Sequence, residues 1–147
     1  MLNKQYIGHA LTAFEVPVEV GRLRLFAKAI GERNPVYTDL AAARDAGYPG
    51  LPVPPTYLFC LEMDAPDPAE MKTLLGIELA HLLHGEQHFS YERMVFSGDV
   101  LRFEPRVADV YEKKGGALEF AVRDTRVSNQ FGQHVADLRW TGVVRRA

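Results

Sequence analysis

The sequence predicts an α+β chain in which helices come first and an antiparallel sheet follows. Apolar residues recur at helical spacing in the first half, as in Leu23, Phe26, Ala27 and Ile30. The second half holds four runs of strand character at 82–95, 100–111, 117–127 and 134–144. The runs are separated by turn signals: Ser97-Gly98-Asp99, Lys113-Lys114-Gly115-Gly116 and Ser128-Asn129-Gln130-Phe131-Gly132. Helical patterns followed by strand patterns, rather than alternating with them, argue for α+β.

Residues 1–10 read as a lead-in. Residues 14–18 can form a short strand, and Pro17 makes it an edge or an end, because proline cannot donate to a ladder. The helix with the Leu23/Phe26/Ala27/Ile30 stripe follows, with Arg22, Arg24 and Lys28 on its solvated side. Asn34-Pro35 closes that segment, since proline biases the residue before it away from helical backbone. Thr38 or Asp39 can cap a short helix over 40–46, and Gly47 can end it. The stretch 47–55 holds four prolines and two glycines and must be a shaped loop. It feeds 56–63, apolar nearly all round, which reads as a helix buried on most sides. Pro66 and Pro68 bound a loop, and 69–75 can add a short helix. Among the strands, alternation puts Leu101, Phe103 and Val107 on one face. Leu118, Phe120 and Val122 share another face, and so do Ala136, Leu138, Trp140 and Val144.

Composition bounds what the chain does. At 147 residues it fits one domain, 1–147, able to bury roughly two thirds of its unfolded surface. A formal net charge of −2 argues against broad affinity for nucleic acid or an anionic membrane. No apolar run is long enough to span a bilayer, and the first residues have no apolar signal core, so a cytoplasmic protein is expected. The single cysteine, Cys60, excludes an intrachain disulfide and reads as a small buried hydrophobe. His81, His84 and His88 form no single-ion cluster on a strand. His84 and His88 would share a face about 13 Å apart, and His81 would face away from His84. No metal is expected, and no dinucleotide or phosphate-loop motif is present.

Two stretches carry a resemblance. Gly31-Glu32-Arg33-Asn34-Pro35-Val36-Tyr37-Thr38-Asp39 resembles the signature Gly-Asp-x-Asn-Pro-x-His-x-Asp of the MaoC-like, (R)-specific enoyl-thioester hydratases and 3-hydroxyacyl-thioester dehydratases. His84-Gly85-Glu86-Gln87-His88-Phe89-Ser90-Tyr91-Glu92-Arg93, followed by Ser97-Gly98-Asp99, is similar to the FAS1-like dehydratase N-terminal-domain branch. Pro54-Pro55-Thr56-Tyr57 also fits that branch, which includes the non-catalytic subunits of heterodimeric 3-hydroxyacyl-carrier-protein dehydratases. The resemblance runs from about residue 5 to 145. It implies a hotdog fold, in which a curved antiparallel sheet wraps a long central helix; 56–63 is the candidate for that helix.

The resemblance also implies a chemistry. Water addition to a 2-enoyl thioester needs an acid/base at the reacting carbons and a donor for the enolate-like oxygen. The family meets the first need with an Asp/His pair and the second with backbone N–H groups at the start of the central helix. Here Glu32 stands in the aspartate position and Tyr37 in the histidine position. Glu32 is a methylene longer, and tyrosine is a poorer base, with a reference pKa of about 10 against about 6.5. Carried over on the same basis, Asn34, Gly50, Thr56, Tyr57 and His84 are candidate substrate contacts.

The leading expectation is a substrate-binding subunit that lacks the dyad and pairs with a catalytic hotdog subunit. Alternatives are a self-sufficient homodimeric hydratase using Glu32 and Tyr37, and a non-enzymatic acyl-CoA-binding or assembly protein. A thioesterase would have only Glu62 or Asp64 as its helix carboxylate. No cofactor is expected, because the acyl thioester itself brings coenzyme A or phosphopantetheine. Arg93, Arg102, Arg106, Arg123 and Arg126 are the basic groups available to it.

Overall fold

The computed structural model describes residues 1–145. Five antiparallel strands form one sheet: β1 (Phe14–Pro17), β2 (Leu82–Tyr91), β3 (Val100–Lys113), β4 (Leu118–Ser128) and β5 (His134–Arg145). Their spatial order is β1-β3-β4-β5-β2, so β1 and β2 are the edges. Pro17 falls at the end of edge strand β1, where its missing N–H leaves no central ladder bond unmade.

Four short helices pack on one face of this sheet: α1 (Val20–Ala29), α2 (Leu40–Asp45), α3 (Tyr57–Glu62) and α4 (Glu70–Leu75). The main core joins Leu23 of α1 and Tyr57, Leu58 and Leu61 of α3 to Leu101, Phe103, Val127, Ala136 and Leu138 of the sheet. A second cluster joins Met71 and Leu75 of α4 to Val107, Val110, Ala121 and Val144. Val107 and Val110 both face inward because the β3–β4 register shifts between Val107 and Asp109.

Three expectations are corrected. Ile30 is 53% exposed: it caps α1 outside the helical turn, so the stripe ends at Ala27. The central helix is not long; α3 has six residues, with Pro54-Pro55 before it and Pro66 shortly after it. Strand β2 stops at Tyr91 rather than 95. The chain then turns before Phe96 makes an isolated bridge to Pro52. The face shared by Leu118, Phe120 and Val122 of β4 is the outer one. Ala121 and Val127 are in the core, and side chains alternate along a strand. The inner face of β4 therefore also carries Arg123 and Thr125.

Candidate functional site

The loop between α1 and α2 is built by its own side chains. Gly31 adopts φ +72°, which a β-carbon would oppose, and this turns the chain out of α1. Asn34 Oδ1 accepts the N–H of Val36 at 3.2 Å, and Pro35 starts the short 3-10 turn Pro35–Tyr37. Asp39 Oδ1 caps α2 by accepting from Ala41 at 2.8 Å. Asn34 is thus committed to the turn.

Glu32 is exposed, and its Oε1 accepts the N–H groups of both Arg33 and Asn34 at 2.8 Å. Its carboxylate is turned back on its own loop. Tyr37 is half-buried and lines a cleft of about 320 Å³ with Pro52, Val53 and Pro55; Glu32 does not line it. The far wall is Tyr91 at the end of β2 with Glu92, Arg93 and Met94 just beyond it. The Tyr91 hydroxyl donates a hydrogen bond to the Pro55 carbonyl, which ties the end of β2 to the start of α3. Burial pushes the Tyr91 phenol far above its ordinary value, so it stays neutral. Among the described residues the Tyr37 hydroxyl makes no hydrogen bond, and nothing orients it as a base.

Gly50 is buried. A β-carbon there would stand 2.6 Å from Ser97 Oγ and 2.7 Å from Ser97 O, so its close approach is to Ser97. Leu51 and Ser97 then exchange hydrogen bonds of 2.9 and 2.8 Å. Thr56 is exposed at the N-cap of α3 and makes no side-chain cap. Tyr57 is a core residue, 3% exposed, its ring 4.8 Å from that of Phe26. Burial pushes the Cys60 thiol up, away from nucleophilic character.

His84 lies elsewhere. It is about seven residues up β2 from Tyr91, on the order of 20 Å away. The register of β2 against β5 shifts between His84 and Glu86, at Gly85. That shift puts His84 on the inner face opposite Gly142 and His88 on the outer face opposite Arg139, so the two histidines do not share a face. His81 lies in a 3-10 turn, 3.5 Å from Glu78. His84 Nδ1 accepts the indole N–H of Trp140 at 3.1 Å, and the edge of Phe59 meets its ring at 5.4 Å.

Sequence reading missed a buried polar group beneath α3. The Glu62 carboxylate is 3% exposed, accepts from Arg123 Nη2 at 2.7 Å, and takes a second hydrogen bond from the Thr125 hydroxyl. The Arg123 guanidinium stands 5.4 Å over the Trp140 ring. Glu62, Arg123, Trp140 and His84 thus form one connected series from the interior to the edge strand. The signal in the sequence was slight: Glu62 stands between the apolar Leu61 and Met63, while Arg123 has Val122 on one side and Asp124 on the other. The other arginines are dispersed. Arg93 lines the Tyr37 cleft, Arg106 and Arg126 lie on the outer face, and Arg102 is exposed.

A five-stranded antiparallel sheet with its helices on the inner face defines a hotdog-fold protein. One chain of the HadBC (3R-hydroxyacyl-ACP dehydratase) complex of Mycobacterium tuberculosis superposes with a TM-score of 0.80 at 21% identity, covering 94% of this chain and 96% of that one. A chain of the ChsH1–ChsH2 complex of the same organism gives 0.74 at 22%, covering 94% and 89%. The (R)-hydratase of A. caviae gives 0.67 at 22%, covering 92% and 94%. The family model for the FAS1-like dehydratase domain region matches residues 5–138. A UPF0336 protein of Streptomyces coelicolor is 36% identical over 148 residues, spanning 99% of this chain and 96% of its own length. Another, from Thermobifida fusca, is 32% identical over 136 residues, spanning 91% and 88%. The chain belongs to the FAS1-like dehydratase-region family, among the UPF0336 proteins.

Proposed function

We infer that this chain is the substrate-binding subunit of a two-subunit hydratase/dehydratase acting on acyl thioesters. The reaction interconverts a 2-enoyl and a 3-hydroxyacyl thioester of coenzyme A or a carrier protein. A partner hotdog subunit carries the Asp/His pair that moves the proton. The observation that supports this most is the state of Glu32. Its carboxylate is spent on two N–H groups of its own loop, and among the described residues the Tyr37 phenol has no hydrogen-bond partner, although Glu92 lines the same cleft.

A second support is the free edge of the sheet. Strand β2 pairs only with β5 among the described residues, and its other side offers a ladder to a second sheet. HadBC and ChsH1–ChsH2 are both named as complexes, in keeping with such pairing. The thioester brings its own coenzyme A or phosphopantetheine, and this reading needs no further cofactor.

The test is hydration of crotonyl-CoA and a longer trans-2-enoyl-CoA, followed by loss of enoyl absorbance. The purified chain alone is expected to be inactive, and the chain mixed with its catalytic hotdog partner active. Turnover by the chain alone that disappears in Glu32→Gln would replace this reading with a homomeric hydratase.

A further inference from the structure

His84 is exposed, yet its ring is held on two sides. The Trp140 indole N–H can only donate, so its 3.1 Å hydrogen bond requires a lone pair on His84 Nδ1. The neutral imidazole then carries its proton on Nε2. Phe59 meets the ring edge to face at 5.4 Å. Nε2 has no partner among the described residues. It is an N–H donor on a ring whose orientation Trp140 and Phe59 fix.

The support behind it is rigid. Trp140 lies over Gly142, where a β-carbon would stand 2.8 Å from indole Cζ2 and 2.9 Å from Leu82 Cδ1. Only glycine lets the indole take this place. Arg123 covers the other part of the ring and is itself fixed by Glu62. Beside Trp140 in register is Gln87, whose Oε1 is buried and has no hydrogen-bond partner among the described residues. One N–H donor without a partner among the described residues therefore lies on this face of an edge strand, beside two aromatic rings, and such a donor meets a carbonyl oxygen.

The position of this group follows from the edge. Two edge strands related by an approximate two-fold axis run antiparallel. The His84 end of β2 then faces the far end of the partner's corresponding strand. In this chain that far end, at Tyr91, is where the 34–37 loop and the start of α3 converge. On the two-subunit reading, His84 thus looks across at the partner loop that carries the acid/base pair.

We propose that His84, oriented by Trp140, donates from Nε2 to an amide carbonyl of the pantetheine arm of the thioester held in the partner's site. His84 is a substrate-contacting residue and Trp140 a positioning residue. The proposal rests on the two-subunit reading.

The test uses the reconstituted complex with two substrates: crotonyl-CoA, and the ethyl thioester of crotonate, which has the thioester carbonyl but no amide. His84→Phe is expected to raise KM for crotonyl-CoA about fivefold to tenfold, the size of one neutral hydrogen bond. It should leave kcat and the ethyl thioester unchanged. Trp140→Phe keeps a ring but removes the N–H, and should raise KM for crotonyl-CoA in the same sense. His84→Gln keeps a donor and should recover part of the affinity. Unchanged KM for crotonyl-CoA in His84→Phe overturns the proposal. An equal rise for both substrates assigns the bond to the thioester carbonyl and overturns the pantetheine assignment. A complex with no turnover refutes the parent reading. Equilibrium binding of coenzyme A to wild type and His84→Phe then decides: weaker binding by the variant supports the contact, and equal binding overturns it.

Discussion

Replacing Arg123 with methionine tests whether the group beneath α3 is a true buried ion pair. The change keeps most of the volume and removes the charge. It leaves Glu62, 3% exposed, with the Thr125 hydroxyl as its only remaining donor. Breaking a buried pair from one side costs about 3–5 kcal/mol, because the other charge stays behind without compensation. Arg123 keeps 14% of its own exposure, which places this case near the low end, about 3 kcal/mol. For a chain of this size that lowers Tm by about 6–12 °C. Replacing both partners with methionine should recover most of the loss, since two apolar groups of similar size satisfy each other. The assay is urea unfolding at neutral pH, followed by far-UV circular dichroism because Trp140 touches Arg123. The cost should be nearly the same at low and high salt, as the pair is shielded from counter-ions. A single-variant loss below about 1 kcal/mol, or one that high salt abolishes, would show a solvated surface pair and refute the argument.

Other outcomes follow from the same geometry. Gly50→Ala forces a β-carbon against the Ser97 hydroxyl and carbonyl, and should cost about 1–3 kcal/mol in urea unfolding. Gly142→Ala displaces the Trp140 indole; its fluorescence, the only tryptophan signal in the chain, should shift in the folded state. Asp124 lies between Arg139, at 2.6 Å, and Arg106, at 3.6 Å, and the Arg139 hydrogen bond holds its carboxyl below the usual carboxylate range. Its stabilising contribution is therefore present above the ordinary pKa near 4 and is lost as pH falls through the depressed value. Comparing urea midpoints of wild type and Asp124→Asn at pH 6 and pH 3 should show a gap that narrows at the lower pH.

Turn chemistry was legible because it is local. Asn34, Asp39 and Asn129 each bond a backbone N–H within a few residues, and the sequence shows such arrangements directly. The sheet's turns and the edge position of β1 came from glycine and Pro17 in the same way. Parity was legible only where one face is wholly apolar, as on β3. On β4 the core face carries Arg123 and Thr125, and the charge is admitted only because Glu62 arrives from a position 61 residues away. No window of sequence contains that compensation, so which face of β4 is the inner one was not legible. The same holds for the histidines. One extra residue at Gly85 reverses the side chains beyond it, and a bulge leaves little trace in composition. The positions of Glu32 and Tyr37 were fixed by the loop signature, but the bonding of Glu32 to its own backbone needed coordinates.

The bulge at Gly85 also bears on what can add to the free edge of this sheet. A long straight edge strand is a template on which further strands can add without limit. Here the ladder is broken near its middle, and a β-carbon at Gly85 would collide with Val143 Cγ2 at 2.7 Å, so the kink is locked in by the neighbouring strand. A flat strand from an unrelated chain can follow this edge for only part of its length before the spacing fails. A strand with the matching bend can follow all of it. The kink thus acts as a mechanical key, and uncontrolled stacking is the lock it does not open.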